Sequence, residues 1–262
     1  GVIRCLMVRN SHKFDDISVT IVTLTPKLPK KDIIVKKLTS RYKKVVSIIH
    51  NFNPEETNVI LGKKSKVIFG EDFIRDEING VFFKISHRSF YQVNPQQTEA
   101  LYAKAIEYAD LTANEVIIDA YCGIGTIGLS AAKYAKTLLG VDVVKRAISD
   151  ANENAKNNGI TNAKFVAGKA EEQILHWKNY NVDVLFVDPP RKGCEKQFLE
   201  TVVEMKIPRI VYISCNVSTL SRDLNYLQSK GYQVLEVTPF DMFPQTSHIE
   251  TVTKLRLKKQ ES

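Results

Sequence analysis

The chain has 262 residues, 44% of them hydrophobic and 25% charged, with a formal net charge of +8. It can bury roughly three quarters of its unfolded surface in one large domain or two, and its composition is that of an ordinary soluble protein. No apolar run is long and charge-free enough to span a bilayer, and four widely spaced cysteines without a C-x-x-C pair exclude a disulfide framework and a zinc knuckle and predict a reducing cytoplasm.

From residue 1 to about 85 the pattern is mostly strands. "VIRCLMVRN", "DISVTIVTL", "KVVSIIHNF", "KVIFG" and "VFFKIS" are short β-branched or aromatic runs, with one amphipathic helix at about 29–42. Pro54, Gly62, Gly70 and Gly80 punctuate the turns. The first strand opens at once, with no leader, so a piece of a longer protein is expected. This part holds 16 Lys/Arg against 9 Asp/Glu, whereas residues 86–262 hold 21 against 20. A basic module beside a near-neutral one suits a polyanionic substrate, because cations that neutralise phosphates release condensed counterions. The competing reading is a solvated lysine-rich face.

After Pro95 the rhythm changes. A helix at 95–110 precedes strands near 115–120, 138–142, 163–167, 183–187 and 209–214, which alternate with helices near 126–134, 145–158, 170–178, 195–205 and 218–229. Two strands, near 232–238 and 247–257, close the pattern. Strands rich in Val and Ile separated by helices predict an α/β domain, a parallel doubly wound sheet that binds ligands at the carboxyl ends of its strands.

Within it, "DAYCGIGTIG" places Gly123, Gly125 and Gly128 after a strand, and Asp142 ends the next strand. Glycines let a backbone approach a ligand closely, and an acidic side chain there can take both ribose hydroxyls. A dinucleotide and the adenosine of S-adenosylmethionine both fit, so the motif names a nucleoside and no reaction. Further on, "DPPRKG" sets Asp188, two prolines and Arg191 at the end of the fourth strand. Consecutive prolines end the strand and fix a rigid loop, as in methyltransferases acting on nucleobases. Arg191 suits a base carbonyl or a phosphate, or else is a surface ion-pair partner.

"YISCNVSTL" then ends an apolar run on Cys215, just before a helix with Leu220, Leu224 and Leu227 at helical spacing. This thiol is a packing residue or a nucleophile. A nearby helix N-terminus favours thiolate. In "SHIETVTKLRL", period two puts His248, Glu250 and Val252 on one strand face, with Glu250 either an exposed carboxylate or a pocket base. Cys122 packs in the glycine loop, and Cys5 and Cys194 read as structural. His87, His176 and His248 are too scattered for a metal site, so no metal is expected.

Together "SFYQVNPQQTEALY", "DAYCGIGTIGL", "GVDVVKRAISDANENAKNNGI", "DPPRKG", "YISCNVSTLSRDL" and "FPQTSHIETVTKL" resemble, in order over roughly 89–257, the S-adenosylmethionine-dependent RNA (uracil-5-)-methyltransferases, which make 5-methyluridine in ribosomal and transfer RNA. The resemblance implies a class I methyltransferase domain over 86–262, its mostly parallel sheet carrying an antiparallel last strand. It makes 1–85 the family's smaller α+β central domain, which contacts RNA. S-Adenosyl-L-methionine is the implied cofactor, contacted by Gln92, Tyr121, Gly123, Asp142 and Asp188. Cys215 matches the nucleophile and Glu250 the base, while Phe90, Asn94, Arg191 and His248 are the implied substrate contacts. The implied partner is RNA, ribosomal 23S RNA in preference to transfer RNA, with no membrane and no stable protein partner. The TRAM domain and iron–sulfur cysteines of some members have no signature in these residues. A nicotinamide-dependent oxidoreductase would account for the glycine loop and Asp142 but not for "DPPR", Cys215 and Glu250. A silent RNA-binding module would account for the basic third but is expected to have lost one of those residues.

Overall fold

The computed structural model describes residues 1–258, which divide into two compact units, Gly1–Glu77 with Phe82–Phe90, and Ile78–Val81 with the described residues from Tyr91 onward. The first holds β1 (Ile3–Asn10), β2 (Ile17–Thr23), α1 (Lys31–Arg41), β3 (Val45–Phe52) and β4 (Lys64–Gly70). The sheet order is β1-β2-β3-β4. β2 and β3 run parallel, joined through α1, and the outer pairs are antiparallel. Ile34, Val35 and Leu38 of α1 pack on Val19, Ile21, Val45 and Ile48. This burial holds a lysine-rich helix that would not persist alone.

A two-stranded ribbon follows, β5 (Phe73–Ile78) and β6 (Val81–Ser86). β5 is absent from the sequence-based prediction. Its run "FIRDEI" has charge where apolar alternation is expected, because Asp76 is buried and accepts hydrogen bonds from Ser11 Oγ and the backbone N–H groups of His12 and Lys13. Satisfied burial of a carboxylate breaks the pattern without breaking the strand.

The second unit is the α/β domain that the sequence predicts. Its elements are α2 (Pro95–Ala109), β7 (Val116–Ala120), α3 (Thr126–Ala132), β8 (Thr137–Asp142), α4 (Lys145–Asn157), β9 (Ala163–Ala167), α5 (Ala170–His176), β10 (Val184–Val187), α6 (Lys196–Glu204), β11 (Arg209–Ser214), α7 (Val217–Ser229), β12 (Tyr232–Phe240) and β13 (Glu250–Leu257). The sheet runs β12-β13-β11-β10-β7-β8-β9. β7 to β11 run parallel to one another, and β13 lies antiparallel to both β11 and β12. Each residue of β10 is buried, as expected of a strand covered by helices on both faces.

The strand expected from 247 starts only at Glu250. His248 lies before it, exposed, with its ring edge-on to Phe243, so strand alternation does not set its direction. Glu250, Thr251, Val252 and Thr253 are all buried, because this strand lies between β11 and β12.

Candidate active site

The carboxyl ends of the parallel strands gather the functional side chains. Two short connections present them, the glycine loop after β7 and the Asp188–Cys194 loop after β10, together with the β11–α7 junction at Cys215.

The glycine loop starts at Tyr121 and Gly123, both at positive φ (64° and 55°), and turns into α3 at Gly125 (83°). At Gly123 an added Cβ would meet nothing within 4 Å, so the backbone is open to a ligand on that side. Asp142 is tied to the same loop. One of its oxygens accepts from Gly123 N at 3.1 Å and the other from Val144 N at 2.7 Å. Those two bonds fix the carboxylate while each oxygen keeps a lone pair for a further donor. Tyr121, expected at the cofactor, tilts its ring against Phe198 of α6.

Four carboxylates run along this edge of the sheet. Asp119 is fully buried in β7 and accepts from Gly128 N at 2.8 Å, while its other oxygen has no partner. Burial pushes its pKa up to about 7, helped by Asp142. Desolvation pushes Asp188 up to about 8, with the charges of Glu250 and Asp119 adding to it. Burial raises Glu250 to about 7, and only Arg191 opposes. An edge this acidic favours a cationic ligand, and together with the open glycine loop it fits the sulfonium nucleoside implied by the sequence.

Cys215 follows directly on β11, and Glu250 is the first residue of the adjacent β13. Ser214 pairs with Thr251, which brings the two side chains to one end of one strand pair. Cys215, Arg191 and His248 line a cavity of about 320 Å³ with Asn216, Val217, Ser218, Ser247 and Ile249. The thiolate expected from the helix N-terminus is overridden. Desolvation raises the Cys215 thiol, Glu250 and Asp188 raise it further, and the guanidinium of Arg191 draws it down. Burial, and then the carboxylates that follow β10 and open β13, hold the thiol up despite the helix N-terminus.

The remaining expected residues are placed differently. Asn94 caps α2, accepting from Gln97 N at 3.3 Å, and its Nδ2 donates to Met242 O at 3.3 Å. Gln92 is half-buried just ahead of that helix. Phe90 is the last residue of the first unit and is 74% exposed. Sequence reasoning missed Asp119, whose signal was a lone acid in the apolar run "VIIDA". It also missed Asn216, Arg222 and Asp223, which hold the Asp188–Cys194 loop. Among the described residues no cluster of three or more His, Cys, Asp or Glu could hold a metal, and no helix is long and apolar enough to cross a membrane.

This fold is shared with proteins of known structure. The chain superimposes on the Pyrococcus abyssi tRNA (uracil-54, C5)-methyltransferase, solved with S-adenosyl-L-homocysteine, with a TM-score of 0.82 and 30% identity over 97% of this chain and 60% of that one. Trm5b of the same organism shares the fold alone, with a TM-score of 0.62 and 15% identity over 98% of this chain and 76% of that one.

The family model described as tRNA (Uracil-5-)-methyltransferase matches residues 21–259, and the chain belongs to that family. Uncharacterized RNA methyltransferases of Oceanobacillus iheyensis and Listeria innocua are each 50% identical to it over 98% of its length. The chain spans 57% of the length of these relatives.

Proposed function

We propose that this chain methylates C5 of a uridine in RNA, with S-adenosylmethionine as the methyl donor. The observation that carries the reading is the pairing of Ser214 with Thr251, which delivers Cys215 and Glu250 to one site from adjacent strands. Asp142, the Gly123 backbone, Asp188, Gln92 and Tyr121 would hold the cofactor. When bound it supplies an electrophilic methyl group.

The chemistry of uracil assigns the other roles. C5 is too poor a nucleophile to take a methyl group directly. The Cys215 thiolate adds to C6, and the electron pair of the C5–C6 bond passes into the ring as an enolate, which makes C5 reactive. Once C5 carries the methyl group, Glu250 removes its proton; the C5–C6 double bond re-forms and the C6–S bond breaks, freeing the thiol. Arg191 takes a uracil carbonyl or a phosphate and stabilises the negative charge that develops. His248 orients the base. A pKa near 7 leaves Glu250 able to accept that proton at neutral pH and to release it afterwards.

Ribosomal RNA is the substrate we favour, because the basic first third is similar to the central domain of the ribosomal subgroup. The likeness to a transfer-RNA enzyme makes transfer RNA the second reading. Mass spectrometry of RNA from cells lacking the gene decides between them, by showing which molecule has lost 5-methyluridine. Loss from neither would refute both.

Two further outcomes follow from the same reading. Asp142→Ala should weaken S-adenosylhomocysteine binding by about 1–3 kcal/mol, the cost of leaving buried polar partners unpaired. Calorimetry with that ligand and with NAD also tests the oxidoreductase alternative, since NAD should give no appreciable heat. Affinity unchanged by the substitution would remove Asp142 from the cofactor site.

RNA affinity should fall steeply with salt, and neutralising Lys30, Lys31, Lys36 and Lys37 together should flatten the plot of log affinity against log salt. All four lie in α1 or at its start, outside the α/β unit, so cofactor binding should be unaltered. An unchanged slope would make them a solvated face.

A further inference from the structure

The chemistry proposed for the site leaves one feature of α7 unused. Asn216, the N-cap of α7, and Thr219, Arg222 and Asp223 stand at positions i, i+3, i+6 and i+7, so they lie along one side of the helix. All four are engaged with the backbone of the Asp188–Cys194 loop. Asn216 Nδ2 and Thr219 Oγ1 donate to the carbonyl of Arg191 at 3.0 and 3.2 Å. Arg222 Nη2 donates to the carbonyls of Lys192 and Cys194 at 3.0 and 3.2 Å. Asp223 is 1% exposed; its Oδ2 accepts from Cys194 N at 2.8 Å and from Tyr212 Oη at 2.7 Å, and its Oδ1 accepts from Arg222 Nε at 2.8 Å.

The loop fits this face without slack. Gly193 sits at φ 77°, and an added Cβ would lie 2.5 Å from Arg222 Nη2 and 2.7 Å from Asp223 Oδ2. Gly193 N also closes a turn on the carbonyl of Pro190 at 2.8 Å. The bonds from α7 go to main-chain groups, which leaves the Arg191 side chain exposed on the cavity that Cys215 lines.

We infer that Asp223, with Arg222, is a positioning residue: it clamps the Asp188–Cys194 loop to the helix that begins beside Cys215 and so fixes the Arg191 guanidinium relative to the thiol. The inference rests on the reading of Cys215 and Arg191 as reacting groups. Asn216 makes the coupling short, because it adjoins Cys215, caps α7 by accepting from Ser218 N at 3.0 Å, and holds the Arg191 carbonyl with the same side chain.

The test reads Cys215 itself. Arg191 is the side chain that draws this thiol toward thiolate, while Glu250 of β13 and Asp188 of the loop oppose it and His248 lines the same cavity. Loosening the clamp should therefore lower thiolate content, and alkylation follows thiolate. The rate of Cys215 alkylation by iodoacetamide would be followed by peptide mass spectrometry across pH 6–9, in the full chain without RNA. At neutral pH, Asp223→Asn and Arg222→Ala should each slow it roughly threefold to tenfold, an upward shift of about half to one pKa unit. Arg191→Gln should do the same, and adding Asp223→Asn to it should change nothing more. Should Asp223→Asn fail to fold, Arg222→Ala decides, since its side chain is 56% exposed.

An unchanged or faster rate in folded variants, or additive effects in the double variant, would overturn the clamp. RNA methylation by the unaltered chain is measured separately. Its absence would refute the proposed function and leave the alkylation result standing.

Discussion

Cys215→Ala should abolish both 5-methyluridine formation and any covalent protein–RNA species, whereas Glu250→Gln should accumulate the covalent species. In the proposed mechanism the two residues act on opposite sides of methyl transfer. Addition of the thiolate to C6 makes C5 nucleophilic, so nothing can precede it. The proton on C5 becomes acidic only once the methylated adduct exists, so a missing base is felt afterwards. Glutamine keeps the size of Glu250 and its capacity to hydrogen-bond, and the neighbouring Cys215 loses a charge that raised its pKa. Addition should thus proceed at least as readily in Glu250→Gln. With substrate RNA and labelled S-adenosylmethionine, a denaturing gel should give a slow labelled band for Glu250→Gln and none for Cys215→Ala. If Cys215→Ala still made 5-methyluridine, the thiol would be a packing residue and the mechanism wrong.

Glu250→Gln should also make the protein more stable at alkaline pH. Burial raises the native carboxyl to about 7, against an unfolded value near 4.3. Between those values the native state holds a proton that the unfolded state has released. Stability is therefore lost as pH rises from about 4 to about 7, and stays lost above that. Removing the charge should recover about 1–2 kcal/mol at pH 8, since partial solvent access and Arg191 moderate the cost. Below pH 4 it should recover nothing. Asp188→Asn should behave alike, with its pH range extending to about 8. Thermal melts of variant and parent at several pH values test this. A gain in Tm as large at pH 4 as at pH 8 would mean that the substitution changed packing and not charge.

Much of the fold was legible because its strands and helices bury distinct faces. Ile117 and Ile118 of β7, Leu138 and Leu139 of β8, Val184 and Val187 of β10, and Ile210 and Val211 of β11, with Leu220 and Leu227 of α7, are buried. β5 was not legible, because Asp76 occupies a buried position that pattern reading assigns to solvent. At the site, Arg191 of "DPPRKG" and Cys215 and Asn216 of "YISCN" line one cavity. The proton affinity of Cys215 was hidden, because it depends on Asp188 and Glu250, which lie 27 residues before and 35 after it. The face of α7 that holds the loop was hidden for a related reason. Its partners are backbone groups some 30 residues earlier, and a bond to a carbonyl leaves no trace in the identity of the residue that offers it.

The reversed strand β13 follows β11 and β12 in the chain, yet it sits inside the sheet, with β11 on one side and β12 on the other. A ribosome releases the chain from its N-terminus onward. β11 and β12 therefore emerge before the strand that joins them, and they must leave a place one strand wide. Glu250 enters only with that strand. Until then a nascent chain has Cys215 but lacks the group assigned to resolve its adduct. On the proposed reading, the strand that brings the base is thus made after the strand that brings the nucleophile, and it fills the gap beside it.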